Sequence, residues 1–297
     1  NNIAGSPATP PKTTDDTGLA APSLTTDGNV VVALFGTGDI VACDFAGKRV
    51  WAKNLGVPNN HYGHSSSLIY WKNKVIVQYD TNKGCKLMAL DIQTGSSVWE
   101  TARTSHISWA SPILAEVGGK MQVITSAEPT VAGYDVETGK ELWKNDCMMG
   151  EVGPSPAFGN GLVFAANEYA TLAAINPSNG SKVWESNEYL PEVASPVVSD
   201  GLLFIATSYG VFACYDAHSG NKYWEQESPD GFYASPVVAE GKIYLTDMKG
   251  TVHIYKVARQ AEKIAAIGMG EKVMSTPAFS DGCIYVRGTE NLYCIGK

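Results

Sequence analysis

The chain has 297 residues, of which 44% are hydrophobic and 18% are charged, and its formal net charge is −8 at pH 7. Because acidic side chains exceed basic ones and no Lys/Arg cluster is present, the composition argues against binding to nucleic acid or to an anionic membrane. No run of about 18 apolar residues occurs, so the sequence predicts no membrane span.

The first 19 residues read as a lead segment rich in Pro, Thr and Asp, and we expect them to be loop-like. The chain starts with Asn rather than Met, and no charged and apolar leader precedes it. We therefore expect a processed or truncated chain from which any export signal has been removed.

A long sequence word repeats through the rest of the chain. Five copies carry Asp or Asn, then Gly, then Trp four residues after the Gly. The recurring tryptophans are Trp51, Trp99, Trp143, Trp184 and Trp224. A Ser-Pro step lies upstream in four copies, at Ser111-Pro112, Ser155-Pro156, Ser195-Pro196 and Ser235-Pro236, and Thr276-Pro277 and Ala21-Pro22 are variants of it. Self-similarity at this period predicts a repeat architecture.

The clearest copy, residues 194–224, predicts four short antiparallel strands. Apolar, β-rich runs are separated by turn signals such as Asp200-Gly201 and Ser219-Gly220. Four strands in about 40 residues describe one blade of a β-propeller. Seven copies begin near Ala20, Ser65, Ala110, Pro154, Ala194, Ala234 and Ser275. We therefore predict an all-β fold with a single β-propeller domain over residues 20–297.

The seventh copy stops after its third strand. Residues 1–19 are the candidate within this chain for the strand that would close the blade. A longer parent chain could instead contain an eighth blade.

The pattern SPxxxDGxxY…G…AxDxxTGxxxW resembles the repeat of the pyrroloquinoline-quinone-like (PQQ-like) propeller family over about residues 19–297. This family includes quinoprotein dehydrogenases and outer-membrane assembly scaffold lipoproteins. The resemblance implies an exported protein, periplasmic or associated with the cell envelope. The dehydrogenases carry adjacent cysteines and a Ca²⁺ ion beside the quinone, whereas the six cysteines here include no adjacent pair. We therefore expect neither PQQ nor Ca²⁺ and no other cofactor.

Functional residues are expected in the irregular connectors that enter each first strand, because loops on a rigid scaffold carry function. The residue just before each Ala-Ser-Pro entry occupies one repeat position, and these positions should ring the channel mouth. The predicted binding residues are His64, Trp109, Tyr233 and Met274 from this ring, with Glu192 and Phe232 one residue earlier in their connectors. The alternative is that Trp109 and Tyr233 only pack between blades.

Three histidines lie in the long connectors and are weak candidates for a metal site, namely His61, His64 and His106. The spacing of His61 and His64 could let two imidazoles share zinc, copper or nickel, but the sequence identifies no third ligand to complete that pair. The cysteines are interpreted as structural thiols, with disulfides as the alternative.

No catalytic motif is present. The sequence therefore favours a non-catalytic, monomeric binding or scaffolding propeller whose His/aromatic loop face holds a protein, peptide or carbohydrate partner. The rival hypothesis is a PQQ- or metal-dependent oxidoreductase that uses the same face.

Overall fold

The computed structural model describes residues 3–15 and 17–296. Within these residues the chain forms 27 strands and no helix. The strands assemble in chain order into seven antiparallel sheets, six with four strands and one with three. The predicted all-β propeller with seven repeats is confirmed. The chain divides into two compact units, Asn1–Val152 and Gly153–Lys297.

The first unit contains three blades. The first is formed by β1 (Thr25–Thr26), β2 (Val30–Leu34), β3 (Asp39–Asp44) and β4 (Arg49–Asn54). The second has longer inner strands, and is formed by β5 (Ile69–Trp71), β6 (Lys74–Thr81), β7 (Gly84–Asp91) and β8 (Ser97–Arg103). The third is formed by β9 (Ile113–Val117), β10 (Lys120–Ser126), β11 (Thr130–Asp135) and β12 (Glu141–Asp146).

The second unit contains four blades. The fourth blade is formed by β13 (Ala157–Gly159), β14 (Leu162–Ala166), β15 (Leu172–Ile175) and β16 (Lys182–Ser186). The fifth is formed by β17 (Val197–Ser199), β18 (Leu202–Ala206), β19 (Val211–Asp216) and β20 (Lys222–Glu227). The sixth is formed by β21 (Val237–Ala239), β22 (Lys242–Thr246), β23 (Thr251–Lys256) and β24 (Lys263–Gly268). The seventh is formed by β25 (Ala278–Ser280), β26 (Cys283–Arg287) and β27 (Leu292–Gly296).

The segment before β1 forms no strand in residues 3–15 and 17–24. The fourth strand that residues 1–19 were expected to supply to the seventh blade therefore stays a prediction, as does the single domain over residues 20–297.

The second and third strands of the blades hold the core. Every residue of β14 and β18 is buried, whereas the outer strand β16 is exposed or half-buried throughout. A strand covered on both faces needs apolar residues on both, which explains why the inner strands read as continuous hydrophobic runs rather than as alternating patterns.

The recurring Asp and Trp have separate structural roles. Asp91 Oδ1 accepts the backbone N–H of Thr94 at 2.9 Å, and Asp216 Oδ1 accepts that of Ser219 at 2.8 Å, so the Asp closes its own turn. The indole N–H of Trp51 donates to the Ile92 carbonyl of the next blade at 2.8 Å. The Trp thus joins neighbouring blades.

The serine of the Ser-Pro step also links blades. In the second unit, the Ser155 N–H donates to Ser195 Oγ, and the Ser195 N–H donates to Ser235 Oγ, each at 2.9 Å. Thr276 Oγ1 accepts from the Ser235 N–H at 3.0 Å, so a threonine hydroxyl serves equally. We call this series the serine ladder.

The serine ladder also corrects the repeat register in the first unit. The Ser67 N–H donates to Ser111 Oγ at 2.9 Å, so Ser67 is the equivalent of Ser111. The residue equivalent to Trp109 is therefore Ser65, and the placement of His64 at that position is wrong by one residue. His64 instead corresponds to Ser108, which is buried, as His64 is.

Candidate binding surface

Three successive connectors of the first unit bring four side chains together. His61 and Tyr62 lie between β4 and β5, Trp109 lies between β8 and β9, and Glu151 follows β12. The Trp109 ring centroid is 5.2 Å from that of His61 and 5.1 Å from that of Tyr62. His61 and Tyr62 contact each other edge-on at 4.3 Å. We call these four residues the aromatic–acid cluster.

Glu151 ties the two rings of the first connector together. Its Oε1 lies 2.9 Å from His61 Nε2, and its Oε2 accepts the Tyr62 hydroxyl at 3.0 Å. The side chains of His61 and Glu151 are 46% and 51% exposed, and Tyr62 is 39% exposed. A carboxylate with two neutral or weakly basic donors keeps lone pairs for a further donor, so the cluster can accept hydrogen bonds from a partner.

The backbone beneath the cluster is fixed by hydrogen bonds. The Trp109 N–H donates to the Val152 carbonyl at 3.0 Å, and the Ser65 hydroxyl donates to the Trp109 carbonyl at 3.2 Å. The Thr14 N–H donates to the Tyr62 carbonyl at 3.2 Å. Because these bonds already fix the backbone of all three connectors, binding of a partner would cost little conformational entropy there. A low entropic cost favours affinity.

A buried ion pair anchors the connector that carries Trp109. Arg103, the last residue of β8, donates to Asp80 Oδ2, and the two side chains are 0% and 1% exposed. Arg103 Nη2 also donates to Thr125 Oγ1 in the third blade at 3.0 Å. Burial opposes the charged form, but the Asp80 carboxylate raises the pKa of Arg103. The guanidinium therefore stays charged beside the Asp80 carboxyl group, and the pair fixes the start of the connector.

His64 lies below the surface rather than on it. Its side chain is fully buried, and its ring packs against Tyr79 at a centroid distance of 5.0 Å. Burial lowers the pKa of His64 to about 4, so the imidazole is neutral near pH 7. Its predicted contact with a partner stays a prediction, but the exposed histidine of this connector is His61.

The remaining predicted binding residues belong to the second unit. Glu192 and Tyr233 are half-buried, and Met274 is exposed. Phe232 is buried, and its ring meets that of His253 edge-on at 5.9 Å. Their binding role stays a prediction.

Two residues of the aromatic–acid cluster were missed by the sequence reasoning. Tyr62 stands between the two histidines of a long connector, and Glu151 lies two residues before the repeat position occupied by Gly153. Polar and aromatic residues inside irregular connectors were the available signal, but no periodicity relates them.

The three histidine candidates for a metal do not converge. His61 lies against Glu151, whereas His106 Nδ1 is 3.3 Å from Glu128 Oε2. Among residues 3–15 and 17–296, no group of three or more His, Cys, Asp or Glu side chains is arranged to hold a metal ion. The same described residues include no helix with the length and hydropathy needed to span a membrane.

A family model described as outer membrane protein assembly factor BamB matches residues 12–108, 103–195 and 170–262. The chain belongs to this family of PQQ-like repeat propellers.

Individual relatives point to two kinds of protein. The quinohemoprotein alcohol dehydrogenase ADH-IIG of Pseudomonas putida is 28% identical over 199 residues, which cover 60% of this chain and 26% of the dehydrogenase. The outer membrane protein assembly factor BamB of Nitrosomonas eutropha is 26% identical over 113 residues, which cover 38% of this chain and 26% of that protein. The matches thus span about a quarter of each curated relative.

A solved structure shows the same fold. The crystal structure of BamB from Moraxella catarrhalis superimposes with a TM-score of 0.75 at 20% sequence identity, and covers 93% of this chain and 84% of that chain. At this identity the likeness concerns the fold alone.

The residues present do not fit a quinone cofactor held with a divalent cation. The sequence has no adjacent cysteines, and a hard cation such as Ca²⁺ requires several oxygen ligands in one place. In the part of the chain that the structure describes, the acidic side chains of the connectors are separated, with Glu151 on His61 and Glu128 near His106.

Proposed function

We propose that this chain is a non-catalytic binding propeller of the cell envelope, and that the aromatic–acid cluster is its docking surface for a protein partner. Membership of the family described as outer membrane protein assembly factor BamB supports a scaffold role and an envelope location. The observation that carries the docking surface is the convergence of His61, Tyr62, Trp109 and Glu151 from three connectors.

The chemistry of the surface suits a polypeptide. A few side chains contribute most of the binding energy at protein–protein interfaces, and Trp and Tyr are enriched among them. Met149, two residues before Glu151 in the same connector, is also exposed, and methionine adapts to varied contacts. The Glu151 carboxylate beside the Tyr62 and Trp109 rings would accept a Lys or Arg side chain through charge and cation–π contact.

Crosslinking at the cluster tests the proposal. A photoreactive phenylalanine analogue at position 62 should capture a discrete protein from an envelope extract, and Trp109→Ala in the same chain should reduce capture by at least about tenfold, as for an interface hot spot. Tyr169 is exposed in the second unit and provides the matched control position. Near-UV circular dichroism would verify that the variants fold.

Three outcomes would overturn the proposal. Capture at position 62 that Trp109→Ala leaves unchanged would show that the cluster is not the docking surface. Equal capture at positions 62 and 169 would indicate non-specific association. Specific capture of a glycan-bearing species by its sugar alone would replace the protein partner with a carbohydrate.

A further inference from the structure

The hairpin of β26 and β27 carries two cysteines on one face. Cys283 pairs with Gly296, and Tyr285 pairs with Cys294, in the antiparallel register of the two strands. Side chains of a strand alternate between faces, and directly paired residues share a face. The side chains of Cys283 and Cys294 therefore project from the same face of the hairpin. They belong to the pairs 283/296 and 285/294, which are neighbours on that face.

The hydrogen-bond pattern places these residues at the closely spaced positions. The Gly288 N–H donates to the Asn291 carbonyl at 2.8 Å, which makes 288/291 a hydrogen-bonded pair. Hydrogen-bonded and non-hydrogen-bonded pairs alternate along an antiparallel ladder, so 285/294 and 283/296 are both non-hydrogen-bonded pairs. Side chains approach most closely at such pairs, and the right-handed twist of the strands shortens the diagonal between Cys283 and Cys294.

The partner opposite Cys283 is a glycine, which leaves room for the Cys283 sulfur. A Cβ on Gly296 would lie 2.6 Å from Cys283 Sγ, so the sulfur occupies the space that a larger residue would fill. The two thiols interact directly, and this interaction, together with burial, raises the pKa of Cys283.

Access to the pair is asymmetric. Cys294 is exposed and Cys283 is half-buried, whereas Cys85 and Cys214 are buried. Cys294 belongs to the edge strand of a three-stranded sheet, and its neighbour Leu292 is 71% exposed. An edge strand can shift its backbone, and so bring the two Cβ atoms to the separation of about 3.8 Å that a disulfide needs.

We propose that Cys283 and Cys294 are a redox-active dithiol, which a disulfide-bearing thiol oxidant converts to a cross-strand disulfide. The exposed Cys294 thiolate attacks one sulfur of the oxidant, which forms a mixed disulfide and releases the first thiolate. The Cys283 thiolate then attacks Cys294 Sγ, and the second thiolate leaves. In sum, two protein thiols lose two electrons and two protons, and one oxidant disulfide becomes two thiols.

The product would bind the edge strand to its neighbour covalently. The disulfide spans residues 284–293, which form the turn and most of both strands of the hairpin. β27 could then no longer separate from β26 without reduction, so we expect slower exchange of its amide protons in the oxidised protein.

The test uses oxidised glutathione on the reduced, folded protein. Trypsin cleaves after Lys272 and Arg287, so Cys283 and Cys294 fall in separate peptides, 273–287 and 288–297. Mass spectrometry without reductant should show these peptides joined, lighter by two hydrogens than their sum. In Cys283→Ser, oxidation should stop at a glutathione adduct on Cys294. Cys43→Ser, which alters a half-buried thiol of β3, should leave the linked peptides unchanged.

The wild-type map alone decides the proposal, without any variant that could fail to fold. A stable glutathione adduct on Cys294, with Cys283 still open to alkylation, would overturn it. Linkage that appears only after denaturation, or that joins either thiol to another cysteine, would overturn it as well. These readouts are independent of partner capture by the aromatic–acid cluster.

Discussion

The indole of Trp51 lies on Gly95, the glycine that ends the turn of the next blade. A Cβ at Gly95 would be 2.6 Å from Trp51 Cε3, which is closer than non-bonded carbon atoms approach. Trp184 covers Gly220 in the same way, with a closest approach of 2.7 Å. Two separate constraints therefore favour glycine at this position. The backbone has a positive φ, and the Trp ring occupies the space that a Cβ would need.

Replacement of this glycine should separate the two requirements. Gly47 and Gly95 occupy the same repeat position with φ of +79° and +69°, but a Cβ on Gly47 would meet nothing within 4 Å. We expect Gly47→Ala to lower the free energy of unfolding by about 1 kcal/mol through its backbone conformation. Gly95→Ala should cost about 1–3 kcal/mol more, because the indole must move. Urea denaturation measures both, and equal losses would contradict the packing role of Trp51.

The serine ladder predicts a second effect on stability. In Ser195→Ala, the Ser155 N–H loses its acceptor in a half-buried position. We expect the free energy of unfolding to fall by about 1–3 kcal/mol. Ser195→Thr keeps the hydroxyl, as Thr276 does naturally, and should lose less. The ladder would be of no energetic importance if both variants unfolded at the wild-type urea concentration.

The buried ion pair predicts non-additive mutations. Asp80→Asn or Arg103→Met alone leaves one uncompensated charge in the core, and each should cost about 3–5 kcal/mol. The double variant Asp80→Asn, Arg103→Met leaves none, and should recover much of the loss. A double-mutant cycle from chemical denaturation gives the coupling energy. A coupling near zero would show that the two charges are solvated separately.

The buried His64 predicts a pH dependence of stability. Its pKa is lowered from 6.5 to about 4 in the folded chain, so the unfolded chain binds more protons between these pH values. Stability should therefore fall as the pH drops from about 6.5 to 4, by about 3 kcal/mol from this residue. His64→Phe should remove that part of the slope. Denaturant titrations of both proteins at pH 7 and 4.5 would test this, and parallel slopes would refute it.

The repeat could be predicted from the sequence because its residues make contacts that recur from copy to copy. These contacts lie within one turn or between neighbouring blades. Asp91 closes a turn, Trp51 reaches the next blade, and Ser195 accepts a hydrogen bond from Ser155 of the previous one. The register of the second blade was misplaced because its entry reads Ser65-Ser66-Ser67 without a proline. Three successive hydroxyls are locally equivalent, and only the hydrogen bond to Ser111 selects Ser67.

The aromatic–acid cluster was only half accessible to the same reasoning. Trp109 was found because it occupies a repeat position. Tyr62 and Glu151 occupy none, and they are 89 residues apart in the chain. Their contact depends on how two connectors fold over the first unit, which no local pattern encodes.

The ion pair between Asp80 and Arg103, with its bond to Thr125, also distinguishes one blade boundary from the others. A chain built of near-identical modules risks pairing the wrong modules during folding, because their apolar faces are interchangeable. A second blade packed on any face without the Thr125 hydroxyl would leave the buried guanidinium short of an acceptor. The contact thus favours pairing of the second blade with the third over pairing with any other of the seven blades.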